Sequence, residues 1–338
     1  MKKFTLSSPF DMHLHLRDED MLCLVAPLTS HTFAGAIIMP NLVTPVDTKE
    51  AVIAYKSRIL DAIDKNDNFT PFMTLFLRPY TKEFLEDVRD HITAIKLYPA
   101  GITTNSENGI KTIDTEALAP TLNAMAELNI PLCVHGETNG FVMDREKEFM
   151  SVYEALATAF PKLTIIMEHI TTKEAVDMLD RFDNLYATIT LHHLIITLDD
   201  VAGGMLQPHL FCKPIAKRPV DRDALLKVAL EGHPKVMFGS DSAPHPKHAK
   251  ENCGCAAGVF TAPIAIQVLV QLFETHDKLD NLQKFLSDNA CAIYDMKPSS
   301  KTITLVKEDF KVPNVYEFKK EKVVPMYAKE ILHWKVLC

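Results

Sequence analysis

Polar and apolar residues alternate through Asp11-Met12-His13-Leu14-His15-Leu16-Arg17. A strand built from this segment carries Asp11, His13, His15 and Arg17 on one face and Met12, Leu14 and Leu16 on the other. The next apolar run, 34–41, gives way to a helical pattern capped by Asp47 or Thr48, in which Ala51, Val52, Tyr55, Ile59, Leu60 and Ile63 recur at steps of three and four. This strand-then-helix unit repeats. Residues 71–77 precede a helix over 81–90, 94–98 precede a loop and a helix over 114–128, and 131–135 precede a helix from near Asp144. Residues 163–169 lead into a helix over 171–182, 185–190 follow, and 235–241 precede a helix around 262–273.

Short strands alternating with amphipathic helices imply parallel βαβ units, and eight strands predict an α/β fold, a (β/α)8 TIM barrel of about 250 residues. The remaining length goes into loops and a C-terminal tail, where alternation at 302–306 and 322–324 predicts short strands beside the barrel. The expected division is a barrel over 1–300 and a β-rich extension over 301–338. An open doubly wound sheet is the alternative. It calls for a Gly-rich phosphate loop after an early strand, and the sequence has none.

Composition narrows the class. The chain has 338 residues, 47% hydrophobic and 24% charged, as expected of a globular protein with a sizeable core. Its seven cysteines, an odd number scattered over a long chain, read as reduced thiols rather than a disulfide framework. No apolar signal region follows Met1 and no apolar run reaches transmembrane length, so a cytoplasmic protein without a membrane partner is expected. A net charge of −8 and the lack of a basic run argue against a nucleic-acid partner. An anionic ligand has to be drawn by local charge.

Barrel active sites are assembled at C-terminal strand ends. The polar residues there are His13, His15, Asn41, Lys96, Tyr98, His135, His169, and Asp241 followed by His245. Singly, each has an ordinary reading: His135 or His169 as a bonded core histidine, Lys96 as an ion-pair partner, Asp241 as a helix N-cap. Together, four histidines, a lysine and an aspartate form a set of metal donors. Arg17, one step beyond the His pair, suits an anionic substrate. Lys96 is the informative member, because an ammonium repels dications and must there be neutral or converted. Addition of CO₂ to its amine gives a carbamate with two oxygens able to bridge two metals. Two metals with nitrogen and oxygen ligands lower the pKa of water and polarise a carbonyl. The residues alone thus point to hydrolysis of an amide or ester in a small anionic molecule, with Asp241 accepting and returning the proton.

Six motifs occur in order: Asp11-Met-His-Leu-His-Leu-Arg-Asp18, Met39-Pro-Asn41, Lys96-Leu-Tyr-Pro-Ala100, Val134-His-Gly-Glu137, Glu168-His-Ile-Thr-Thr172 and Gly239-Ser-Asp-Ser-Ala-Pro-His245. With them the chain resembles the dihydroorotases of the amidohydrolase superfamily, in their shorter, homodimeric bacterial form. The resemblance implies reversible zinc-dependent hydrolysis of (S)-dihydroorotate to N-carbamoyl-L-aspartate, whose reverse is the third step of de novo pyrimidine (UMP) biosynthesis. It implies a homodimer with two Zn²⁺ per chain. On this likeness His13, His15 and Asp241 bind one zinc, His135 and His169 bind the other, and N6-carboxylated Lys96 bridges them with a hydroxide. Arg17, Asn41 and His245 hold the carboxylate and ring of the substrate. Backbone groups in 211–214, at Lys213, and near Ala257 add contacts, and Thr103 and Thr104 close over the substrate as a lid.

The lid loop, 101–111, is longer than a minimal connection, which by itself fits either a lid or a plain surface loop. A separate zinc site at Cys253 and Cys255 lacks two further thiolates. Rival enzymes are another cyclic amidohydrolase, of the hydantoinase or allantoinase kind, and a mononuclear deaminase with no use for a bridging lysine. The non-enzyme rival is a scaffold on an inactive amidohydrolase barrel.

Overall fold

A computed structural model describes residues 2–337; Met1 and Cys338, the outer ends of the two expected domains, lie outside the described residues. A first strand, β1 (Lys3–Ser7), precedes eight that form one sheet in chain order. These are β2 (Phe10–Leu14), β3 (Gly35–Ile38), β4 (Thr70–Phe76), β5 (Ala94–Leu97), β6 (Leu132–Val134), β7 (Ile165–Met167), β8 (Leu185–Ile189) and β9 (Val236–Phe238). Neighbours pair in parallel throughout. The first and last meet at their C-terminal ends, where the Asp241 N–H donates to the His13 carbonyl at 2.8 Å and the His15 N–H to the Ser242 carbonyl at 3.3 Å. Asp11 reinforces this seam by accepting from Ser240 N at 2.7 Å and Ser240 Oγ at 2.5 Å. The sheet therefore nearly closes into the expected barrel, and the open-sheet alternative falls away.

Strands covered on both faces are mostly apolar, and these are, apart from buried polar residues such as Asp11, His13, Thr74, Lys96 and Thr188. In β5, Ile95 and Leu97 join the outer core under the helices, while Ala94 packs inside the barrel with Ile37, Cys133, Ile166 and Met237. Helix Lys49–Ala62 starts where Thr48 Oγ1 accepts from Ala51 N at 3.2 Å, and it buries Val52, Tyr55 and Ile59 at the expected steps. Leu60, one step round from Ile59, is left 41% exposed.

Three features depart from the pattern of the sequence. The pairing of β2 with β3 shifts register between Asp11 and Leu14, and the chain leaves the sheet before Arg17, whose φ is +61°. Met12 consequently packs inside the barrel with Phe10 rather than with Leu14 and Leu16, so the strict alternation breaks at the irregularity. Helices Glu19–Ser30 and Pro219–Glu231 are additions to the expected set. The first contains Pro27, and the second spaces Leu225, Ala229 and Leu230 among charged residues. Finally, the tail is tied to the start of the chain: β10 (Thr302–Val306) pairs antiparallel with β1. The other expected tail strand is present as Glu321–Val323, in a hairpin with Tyr316–Phe318.

Candidate active site

The strand ends bring the proposed donors together. His13, His15 and Asp241 place ligand-type atoms within 4.8 Å of one another, and all three are buried. Asp241 Oδ1 lies 3.1 Å from His15 Nε2 and 3.6 Å from His13 Nε2. His135 Nδ1 and His169 Nε2 face each other at 3.1 Å, and the His13 and His169 rings, 4.9 Å apart, join the two groups. His169 and Asp241 sit just beyond β7 and β9 in left-handed backbone, with φ of +41° and +42°. Such conformations are costly for non-glycine residues and recur at functional sites. Gly239 makes the approach possible, since a Cβ there would lie 2.9 Å from the Cβ atoms of both His13 and Thr188.

Two carboxylates orient two of the imidazoles. Glu168 Oε2 accepts from His13 Nδ1 at 2.8 Å, and Glu137 Oε2 accepts from His135 Nε2 at 2.8 Å. A neutral histidine has one N–H and one lone pair, so these bonds turn the His13 Nε2 lone pair toward Asp241 and the His135 Nδ1 lone pair toward His169. Burial pushes the pKa values of His13, His15 and His169 below the usual histidine value, favouring neutral rings. Burial also pushes the Glu168 carboxyl up, but His13, Lys96 and the hydrogen bonds from His13 and Thr188 outweigh it, leaving about 2. Glu168 stays a carboxylate. Neither glutamate is among the candidates that the sequence alone singles out. Glu137 lies two residues past His135, a usable signal; Glu168 precedes His169 directly, and strand alternation argues against both facing one site.

Lys96 is fully buried, and among the described residues its Nζ has no hydrogen-bond partner. It lies beside Cys133 in the β5–β6 register and 5.2 Å from the Tyr98 ring centre. Burial lowers its pKa. A buried cation with no hydrogen-bond partner is expensive, so this amine needs neutralisation, conversion or a ligand. Lone pairs converging around such an amine, with His169 Nδ1 and Glu168 Oε1 also unpartnered, fit a site for metal cations.

Next to the donors lies a group of residues built around the Arg17 guanidinium. Arg17 Nε donates to the Pro244 carbonyl at 3.1 Å, and Nη2 lies 3.1 Å from His245 Nε2. His245 Nε2 is also 2.9 Å from the Ala257 carbonyl. One ring nitrogen cannot accept from Arg17 and donate to Ala257 at once, so part of this group's capacity is left over. Burial first, then Arg17 and Lys250, push His245 down to about 3, keeping it neutral. Among the described residues Arg17 has no carboxylate partner within ion-pair distance. Asn41 Nδ2 donates to the Thr104 carbonyl at 2.9 Å, and Asn105 Nδ2 to the Asn41 carbonyl at 3.0 Å, so the loop carrying Thr103 and Thr104 is docked on Asn41. Ser106 braces it, accepting from Thr103 N at 2.9 Å. A cavity of about 770 Å³ is lined by Arg17, Leu42, Thr104, Asn105 and His245, among others. The six donors do not line it; they are buried apart from it.

Lys213 lies in a segment clamped from behind. His193 Nε2 donates to the Pro214 carbonyl at 3.0 Å while Nδ1 meets Thr190 Oγ1 at 2.9 Å, and the Cys212 thiol donates to the same Pro214 carbonyl at 3.2 Å. His192, His193 and Cys212 also form a donor group of metal-site dimensions. His193 and Cys212 are engaged in these bonds and clamp the segment, whereas neither ring nitrogen of the buried His192 has a hydrogen-bond partner among the described residues. Among the described residues Cys253 and Cys255 join no donor group.

The family model for amidohydrolases matches residues 10–296. The dihydroorotase of Helicobacter hepaticus is 42% identical over 334 residues, covering 98% of this chain and 97% of that protein. The crystal structure of a dihydroorotase from Campylobacter jejuni is 57% identical, with a TM-score of 0.96 over 99% of this chain and 98% of that one. The structure of a Saccharomyces cerevisiae dihydroorotase in complex with 5-fluoroorotic acid is 35% identical, with a TM-score of 0.94 over 100% and 99%. An L-hydantoinase of Arthrobacter aurescens shares the fold at 15% identity, TM-score 0.81.

Proposed function

The chain belongs to the dihydroorotases of the amidohydrolase family, and from that premise we propose that it hydrolyses (S)-dihydroorotate reversibly to N-carbamoyl-L-aspartate with two Zn²⁺ ions held among its strand ends. The observation that carries this reading is Lys96, a fully buried amine without a hydrogen-bond partner among the described residues, amid histidine and carboxylate donors. His13, His15 and Asp241 would hold one ion, His135 and His169 the other, and a carbamate on Lys96 would reach both. When bound, the ions supply Lewis acidity toward a ring carbonyl and toward water.

The chain's own residues do the rest. Arg17 offers a planar pair of donors to the substrate carboxylate, with Asn41 and His245 beside it. The backbone at Lys213 and Ala257 borders the ring, and Thr103 and Thr104 exclude water from above. Asp241, whose carboxyl is raised by burial, takes a proton from the attacking water and gives it to the departing ring nitrogen. An Arg17 guanidinium without a carboxylate partner among the described residues favours an anionic substrate over the uncharged hydantoins, and the complete donor set argues against an inactive scaffold.

The direct test is interconversion of the two compounds by purified protein. Cyclisation turns a dicarboxylate and a proton into a monocarboxylate and water, so the ring should gain about tenfold per unit fall in pH above the carboxyl range. An equilibrium ratio that did not follow pH would mean another reaction.

A further inference from the structure

Lys250 is 3% exposed, yet no carboxylate accounts for its burial among the described residues. Its Nζ donates to three backbone carbonyls instead: Phe211 at 2.9 Å, Ala256 at 2.8 Å and Gly258 at 2.7 Å. An ammonium has three N–H donors and no acceptor, so the group is fully used. Burial pushes its pKa down to about 8, and three carbonyl oxygens work in the opposite direction by favouring the charged form.

The carbonyls come from the two segments whose backbone the proposed function sets beside the substrate. They are also joined to each other, since Gly258 N donates to the Phe211 carbonyl at 2.9 Å. Gly258 has a φ of +157°, and a Cβ there would collide with the Ala243 carbonyl, so the two segments close on the turn that carries His245. In a trans peptide the N–H points opposite to the C=O. Drawing the Phe211 and Ala256 carbonyls onto Lys250 therefore turns the N–H groups of Cys212 and Ala257 away from it. Among the described residues neither N–H meets a protein acceptor.

We propose that Lys250 is a positioning residue for the substrate subsite: one buried ammonium fixes two peptide planes so that the Cys212 and Ala257 N–H groups stand free for the oxygens of a small carboxylate-bearing cyclic ureide. This rests on the dihydroorotase reading above and adds to it a residue that touches no reacting atom. A surface lysine could not do this, because in water it would exchange carbonyls for solvent.

The test compares wild type with Lys250→Met and Lys250→Arg, as metal-loaded full-length enzyme, for KM and kcat with dihydroorotate, for metal content, and for amide exchange over 208–214 and 254–260. In Lys250→Met, KM should rise roughly tenfold to a hundredfold, the range expected when a hydrogen bond to a charged ligand is lost. Exchange in the two segments should quicken while metal content and kcat change little. Lys250→Arg should not restore KM, because a planar guanidinium cannot aim three N–H groups from one nitrogen. If Lys250→Met does not accumulate as folded protein, Lys250→Arg alone decides. Wild-type KM in either variant, or a loss of kcat with loss of metal at unchanged KM, overturns the assignment. A wild-type chain that does not turn over dihydroorotate overturns the reading beneath it instead.

Discussion

The donor cluster and the group around Arg17 are neighbours, but the sheet carries one and loops carry the other. His13, Lys96 and His135 stand on or directly after β2, β5 and β6, and His169 and Asp241 follow β7 and β9 within three residues. Their partners are side chains, Glu168 and Glu137 above all. Arg17, Asn41, Thr104, His245 and Ala257 sit on loops, and their contacts are mostly with carbonyl groups. Hydrogen bonds of the sheet and its seam anchor the backbone of the first group. The second depends on how loops dock, so substitutions there should alter substrate affinity and leave the metals in place.

The largest effect that would sharpen this contrast is expected at Lys96. Lys96→Ala removes the only amine among the donors and should abolish metal binding and turnover together, beyond the about 10–100-fold that loss of an orienting partner costs. Short-chain carboxylic acids should enter the vacated space and restore part of both, read by metal analysis and assay. A metal-loaded, active Lys96→Ala enzyme would break the donor side of the comparison.

Glu168→Gln should come next. It keeps the shape but takes the carboxylate from His13 Nδ1, and metal affinity should fall by about 10–100-fold. Titration with a competing chelator measures it. Unchanged affinity would show that the sheet alone orients His13.

Arg17→Lys tests the loop side. Replacing a planar fork by a point charge should cost about 1.5–3 kcal/mol of transition-state binding, or roughly 10- to 150-fold in kcat/KM, with both metals retained. Loss of metal in this variant would mean that the two sides are not separable.

The smallest effect is expected at Tyr55, whose OH donates to the Arg17 carbonyl at 2.8 Å and so supports its left-handed backbone. Tyr55→Phe should cost about 1 kcal/mol. Calorimetry should show a Tm lower by about 2–4 °C or less in a chain of this size, and KM should rise only slightly.

The division between sheet and loops also separates what is legible in the amino-acid sequence from what is not. Strand residues such as Ile95 and Leu97, and helix positions such as Val52, Tyr55 and Ile59, are legible because period-two and period-3.6 burial are local consequences of backbone geometry. The histidines, Lys96 and Asp241 are legible as a set because their residue types carry chemistry wherever they stand. Glu168 is not, since its neighbour His169 reaches the same cluster only through a left-handed turn that alternation does not foresee. Met12 departs from its expected face for a related reason, the register shift in β2.

Lys250 marks the limit of local pattern. In Pro246-Lys-His-Ala-Lys-Glu-Asn252 it looks like one more charge on a solvated turn. It is buried because carbonyls 39, 6 and 8 positions away converge on it. The chain by itself determined the eight-strand order, the apolar cover of each strand and the inventory of donors, all of which depend on residue type and local spacing. Only the closed tertiary structure decided which strand ends meet. Asp11 reaches Ser240 across 229 positions, and with that seam shut the left-handed turns, docked loops and carbonyl-bound lysine find their places through contacts that no local period encodes.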